Sequence, residues 1–456
     1  MKTPACLLLV ALSALSCKGP ASADGDALWL FEFPPTPTGG HRADGSPCEA
    51  TPLGKAPFGA NVRASSEGVV SSETTIAADL AGHVVTSWIE INPAPAIGVS
   101  TSSDNGATFT RSGVVSDENP QSSDPVLQLT ADGLFHLTFI TFQVSSGSPT
   151  NMHVAVASSA DFGKTWSKAV TANDASDGPI VDKPWLAAGP DGELIVSYLA
   201  TTSNGAATEI RVRRQPKGQG AFGPAIAADP GKIALRNFGY PSVSPQGDLY
   251  LAYMELGNLS GAGGLEKDEA QGDEKNRILV ARQDRGAAGF SAPVDVAPKT
   301  LLPIFMPVAL ATGPDGSVYC AFIGGEKNHS DLFVARSTDR AATFGAPVKV
   351  NDDPTCATHF RPSLAVDAAG RVHVTYLDNR GGEGNAIYAV STDKGATFTN
   401  SRLSDQSFPF TIGRAPLEHW LGDYIHVALA GSRLFEIWAD PRSGKSSAYV
   451  SVQELK

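Results

Sequence analysis

The chain is poor in the residues on which metal and thiol chemistry depend, with five cysteines and nine histidines among 456 residues. None of them stands at the spacing of a zinc site, and no metal or cofactor is implied. No stretch of useful length carries helical periodicity with caps, which excludes a helical bundle and leaves an all-β reading. Beyond the N-terminus there is no apolar run long enough to cross a bilayer. Positive charge is also scarce. Thirty-five basic residues against 47 acidic ones give a formal charge of −12, which disfavours nucleic acids and anionic membranes as partners. Only four methionines stand against 46 glycines, the balance of a turn-rich β protein.

What the chain does have is a repeat. Seven times a glycine opens a short apolar strand that closes on an aromatic residue: Gly82 to Trp88, Gly133 to Phe139, Gly192 to Tyr198, Gly247 to Tyr253, Gly316 to Phe322, Gly370 to Tyr376 and Gly431 to Trp438. The repeat length of roughly 50–70 residues is that of a four-stranded propeller blade with generous loops. Within the sixth unit Val372, Val374 and Tyr376 alternate with His373 and Thr375, the period of two expected of a half-buried strand. One blade cannot bury both faces, so the units predict a ring, seven blades being favoured over six.

A second motif recurs in the turn after the third strand. It reads Ser102-Ser103-Asp104-Asn105-Gly106-Ala107-Thr108-Phe109, and returns around Asp161, Asp339 and Asp393, with worn versions ending at Phe222 and Phe290. The carboxylate accepts backbone N–H bonds inside the turn, glycine supplies a positive φ, and the aromatic plugs the gap between sheets. The four aspartates are therefore read as structural.

This motif resembles the Asp-box, or BNR, repeat of the sialidase-like β-propellers, over roughly residues 58–456. The runs Trp420-Leu421-Gly422-Asp423-Tyr424, Trp438-Ala439-Asp440-Pro441-Arg442 and Asp182-Lys183-Pro184-Trp185 also look like those of bacterial exported members. The resemblance implies two classes of function. One is a surface propeller, expected as a monomer, that binds a glycan or a cell-surface protein through the face opposite the Asp boxes. The alternative is an exo-sialidase-type glycoside hydrolase acting on acidic sugars, with a tyrosine nucleophile and carboxylate partners. On that alternative Tyr424, Asp423, Asp182 and Glu73 are the catalytic candidates. The family's N-terminal arginine motif has its only likeness in His359-Phe360-Arg361-Pro362, six units in.

Strand alternation decides which face carries the site. The glycine turns and Asp boxes share one face, and the longer loops and blade-to-blade connections share the other, around the central channel. Ligand-binding candidates there are Arg361, Arg380, Arg442, Asp378, Asp440, Lys183 and Tyr240. The pairs Asp378/Arg380 and Asp440/Arg442 occupy equivalent places. They are read either as local salt bridges or as part of an arginine cluster, with Arg361, that grips one carboxylate. The ring is expected to close through Phe58-Gly59-Ala60, which mirrors Phe344-Gly345-Ala346, so that residues 58–64 complete the last blade.

Residues 1–23 form a targeting segment: Lys2, the apolar stretch Ala5 to Leu15, and small residues leading to Cys17. Cys17 fits a bacterial lipoprotein signal, the cell-envelope reading and the sole membrane link. Ordinary cleavage after Ala21-Ser22-Ala23 gives a secreted or periplasmic protein instead. Residues 24–57 follow as a flexible tether. Cys48 and Cys356 fall in loops, where an oxidising compartment permits a bridge. Cys320, on the face of Phe322, reads as a buried small hydrophobe.

Overall fold

The computed structural model describes residues 58–115, 118–201, 208–230, 234–256, 276–297, 306–326, 329–353, 357–411 and 416–455. Cys17, Cys48 and Cys356 lie outside the described residues. The chain forms seven four-stranded antiparallel sheets, the blades of a propeller. Their innermost strands are Val70–Ala78, Gln121–Leu129, Val181–Ala188, Leu235–Val243, Ala309–Thr312, His359–Val366 and His426–Ala430. The aromatic-ended runs supply the second strand of every blade.

The ring closes as its ends suggest. The short strand Val62–Arg63 pairs with Ser447–Glu454 in the register Val62↔Val450 and Arg63↔Tyr449. It thereby becomes the outer strand of blade 7. Ala64 donates its N–H to Ala448 O at 2.8 Å, and Asn61 Nδ2 reaches Leu403 O at 3.0 Å, so the same segment grips blade 6. The strand covers the outer edge of Ser447–Glu454, which would otherwise stand open.

There is no single core. Seven apolar clusters each fill the wedge between two neighbouring blades; Ile76, Val84 and Trp88 of blade 1, for example, meet Phe435, Ile437 and Val450 of blade 7. The Ser-x-Asp turns lock these wedges from outside. In the first, Ser102 Oγ donates to Asp104 Oδ1 (2.6 Å) and accepts from Gly106 N–H (2.9 Å). Thr108 donates from N (2.9 Å) and Oγ1 (2.6 Å) to the two oxygens of Asp104. Asp161, Asp339 and Asp393 receive the same threonine bonds. These bonds pull the carboxyls of Asp104, Asp161 and Asp339 down to about 2. Gly163, at φ 79°, is needed twice over, because a Cβ there would lie 2.8 Å from Val85 of the preceding blade. Phe109, Trp166, Phe344 and Phe398 then pack on the cluster shared with the preceding blade. Cys320 is fully buried in the wedge between blades 4 and 5, with its thiol pushed up to about 12 by burial.

Candidate functional site

Five of the seven inner strands break register at the same level, between Ser72 and Thr75, Ser123 and Val126, Asp182 and Trp185, Asn237 and Tyr240, and Phe360 and Ser363. In each break one non-glycine residue takes a left-handed conformation: Glu73 (φ 50°), Asp124 (54°), Lys183 (48°), Phe238 (57°) and Arg361 (55°). A bulge of this kind re-aims one side chain, and each such backbone costs about 1–3 kcal/mol, a pattern that clusters at working sites. In three of the five the next residues include a proline (Pro125, Pro184, Pro362), which has no N–H to lose from the broken ladder.

Three of these residues, Glu73, Asp124 and Lys183, come together with Asp423. Lys183 Nζ lies 2.9 Å from Asp124 Oδ1, 2.6 Å from Asp423 Oδ2 and 3.4 Å from Glu73 Oε1. One ammonium thus ties blades 1, 2 and 3 to the segment that enters blade 7. Burial on its own lowers the Lys183 pKa, but Asp124, Asp423, Glu73 and Asp182 together reverse this and hold it well above its ordinary value. Asp182 accepts the Lys183 backbone N–H at 2.9 Å. Burial pushes its carboxyl up to about 8 against the pull of Lys183, with Asp124 and Asp423 adding like-charge repulsion. Asp423 is the most accessible of the four, its side chain 23% exposed. Gly422 makes this arrangement possible: at φ 78°, a Cβ there would sit 2.2 Å from the Glu73 backbone nitrogen.

Beside this charge cluster is an apolar concavity lined by Pro184, Trp185, Phe238, Tyr240, Pro307 and Tyr424, with Lys183 at its edge. Trp185 and Tyr240 are half-buried and in contact, 4.3 Å between ring centroids with their planes tilted by 34°. Tyr424 and His426 meet Trp185 edge-on, at 5.2 and 5.7 Å. His426 Nδ1 accepts the Ile76 N–H at 3.3 Å, and burial lowers its pKa to about 4, so the ring is neutral. Tyr424 donates its hydroxyl to Pro125 O at 2.9 Å, and burial together with the nearby carboxylates holds its pKa well above the usual phenol value. Burial raises Tyr240 as well.

The arginines are arranged differently. Arg380 closes on Asp378, on Asp352 (2.8 Å) and on the Tyr376 hydroxyl (3.2 Å). Arg442 closes on Asp405 and on Asp440 (2.6 Å), and lies over the Tyr449 ring. Among the described residues the two share no partner, so each Asp-Arg pair is a local salt bridge. Burial raises the carboxyls of Asp378 and Asp440, whose partner arginines oppose the shift. Arg361 is 3% exposed, with its guanidinium 4.5 Å from the Phe360 ring centre. Glu73, Asp182, Asp423, Tyr424, Lys183 and Tyr240 therefore gather at the channel mouth, while Arg380 and Arg442 serve blades 6 and 7 locally.

Sequence reasoning passed over Trp185, Phe238 and His426 as site residues. It also missed Glu436, a fully buried carboxyl on the second strand of blade 7 whose pKa burial holds well above the usual carboxylate range, despite the Thr375 hydroxyl beside it. In blade 7 the aromatic lies seven rather than six positions after the glycine, and that irregularity was the available signal.

No protein-family model matches the chain, and no curated protein matches it. Solved structures do resemble it. A protein of unknown function from Dyadobacter fermentans aligns at 12% identity and TM-score 0.55, over 89% of this chain and all of that one. The GH93 α-L-arabinofuranosidase of Fusarium graminearum, in complex with arabinobiose, aligns at 13% and 0.51, over 88% and 98%. A PL25 ulvan lyase with a bound saccharide aligns at 8% and 0.52, over 88% and 94%. At these identities the likeness is one of fold. Fold and site together define a seven-bladed β-propeller with a charged, aromatic-lined channel mouth.

Proposed function

We propose that this propeller is exported and binds a glycan at the channel mouth, on the face opposite the Ser-x-Asp turns. The observation that carries the reading is the half-buried, mutually tilted pair Trp185/Tyr240, flanked by side chains that strained backbone aims at the same spot. Aromatic faces receive the C–H face of a sugar ring, and adjacent carboxylates accept its hydroxyls. Two of the structurally similar proteins are, by their names, enzymes that act on glycans, and this supports the reading. The Ser-x-Asp turns support membership of the sialidase-like Asp-box propellers. Residues 1–23 support export, with Cys17 as a lipid anchor in the cell envelope and a secreted or periplasmic form as the rival. A cell-surface protein is the competing partner. The test is a glycan array probed with the purified protein and with Trp185→Ala: sugars bound by the former and lost by the latter support the reading, and binding indifferent to Trp185 refutes it.

A second reading, glycoside hydrolysis, is favoured by one contrast. Burial pushes the carboxyl of Asp182 well above its ordinary range, while Asp423, paired to Lys183, reaches solvent. Two carboxyls driven apart in this way are the acid and the base or nucleophile of a glycosidase. Glu73 stands behind them. Tyr424 suits the nucleophile's part poorly, because its hydroxyl is donated to Pro125 O and its proton is held tightly. Turnover of fluorogenic glycosides, sialosides included, that falls at least about 100-fold in Asp423→Asn supports this reading. Absence of turnover across the panel removes it.

A further inference from the structure

We infer that the mouth pocket takes an uncharged sugar ring and discriminates against sugars bearing a carboxylate; the inference rests on the glycan reading of the same site. An ammonium has three N–H donors. At Lys183 three carboxylate oxygens, from Asp423, Asp124 and Glu73, stand within 3.4 Å of the nitrogen. All three donors have acceptors inside the protein before a ligand arrives. The cation at the pocket's edge is therefore spent, and it cannot greet a ligand anion without giving up a carboxylate that is itself mostly buried.

The charge balance points the same way. Three carboxyl groups converge on one ammonium, so acidic groups outnumber basic ones in the cluster. The carboxylate nearest solvent is Asp423, whose side chain is 23% exposed. A ligand carboxylate seated on Trp185 and Tyr240 would approach that acidic cluster across an apolar pocket wall, where little solvent screens the repulsion. Hydroxyl groups meet no such penalty, since an ionised carboxylate is a pure acceptor and welcomes their protons. The other cation at the bulge level, Arg361, is 3% exposed and lies against Phe360. Arg380 and Arg442 are committed to Asp378 and Asp440. The charge beside the pocket thus selects against an acid.

The experiment is calorimetric titration of the intact protein with matched oligosaccharides of equal length: oligogalactoside against oligogalacturonide, and lactose against 3′-sialyllactose. The neutral member of each pair is expected to bind at least about tenfold more tightly, with a Kd that changes little between about 50 and 500 mM salt. Trp185→Ala should abolish that binding. Asp423→Asn removes a negative charge and releases one Lys183 donor, so it should narrow the gap by improving the acidic sugar several-fold. An acidic member that binds as well as or better than its neutral partner overturns the inference and leaves the glycan reading standing. Loss of that acidic binding in Arg361→Ala would identify where the charge argument failed. If neither member of either pair binds at millimolar concentration, and an array of neutral glycans is silent too, the glycan reading falls and takes this inference with it.

Discussion

Replacing Lys183 by methionine keeps the length of the side chain and deletes the charge that four chain segments share. The ammonium is 6% exposed, and the carboxylates it serves are 0% (Glu73), 8% (Asp124) and 23% (Asp423) exposed. Removing one partner of a buried ion pair costs about 3–5 kcal/mol, because the partner's charge is left without compensation. Here several carboxylates are stranded, and the partial exposure of Asp423 returns some of that loss to solvent. A figure of about 4 kcal/mol is therefore reasonable at pH 7. A propeller of about 400 residues has an unfolding entropy of about 0.8 kcal/mol/K, so the melting temperature should fall by about 5 °C.

The pH dependence separates this cause from lost packing. In the wild type Lys183 has a folded pKa above its unfolded value, so its contribution is complete below the ordinary lysine pKa of 10.5 and is lost only as pH rises beyond it. Between pH 5 and 9 the wild type owes no slope to this group. In the variant, burial and mutual repulsion raise the folded pKa values of the three carboxylates above their unfolded values near 4. The defect is then full at pH 7 and shrinks as pH falls toward 4, where protonation removes the repulsion. Differential scanning calorimetry of both proteins from pH 4 to 8 reads this directly. Equal melting temperatures at pH 7, or a deficit that stays constant with pH, would refute the electrostatic account.

Three further outcomes are expected. Asp182 has a folded pKa of about 8 against an unfolded 3.8, so native protein holds its proton across that window and loses stability as pH rises through it; Asp182→Asn should melt higher than wild type at pH 8 and alike at pH 4, and an equal melting temperature at pH 8 contradicts the assignment. A chain that begins at residue 66 lacks the strand paired to Ser447–Glu454 and uncovers that strand's edge; it should melt lower and self-associate on size-exclusion chromatography, and unchanged behaviour would show the closure to be dispensable. Asp161→Ala and Asp339→Ala remove carboxylates whose pKa is lowered to about 2 by bonds from Thr165 and Thr343; the stability they contribute is present above pH 4 and lost between about 4 and 2, so the variants should trail wild type at pH 7 and approach it near pH 2, with ligand affinity unchanged at pH 7.

The blades were legible because each repeats one local rule. Glycine, alternating apolar residues and a closing aromatic specify a strand without reference to the rest of the chain, and Ser-x-Asp-x-Gly-x-Thr specifies its own turn through short-range hydrogen bonds. The latch was legible for the same reason, since Phe58-Gly59-Ala60 repeats a pattern already seen as an outer strand. The site obeys another logic. Glu73, Asp124, Lys183 and Asp423 are separated by 50 to 240 positions and meet only because the ring sets their bulges at one height. Strand alternation places all of them, and Arg380 and Arg442 too, on one face, but a face is a two-dimensional statement, and radius decides partnership. Arg380 and Arg442 follow the second strand of a blade, one step outward from the channel, so each finds the aspartate two residues before it. Lys183 sits in the innermost strand, where side chains from different blades converge. A charged residue at a register break of the inner strand, in three of four cases followed by proline, marks the innermost position. That pattern, more than residue type, is what distinguishes a channel-mouth lysine from a blade-surface arginine in this chain.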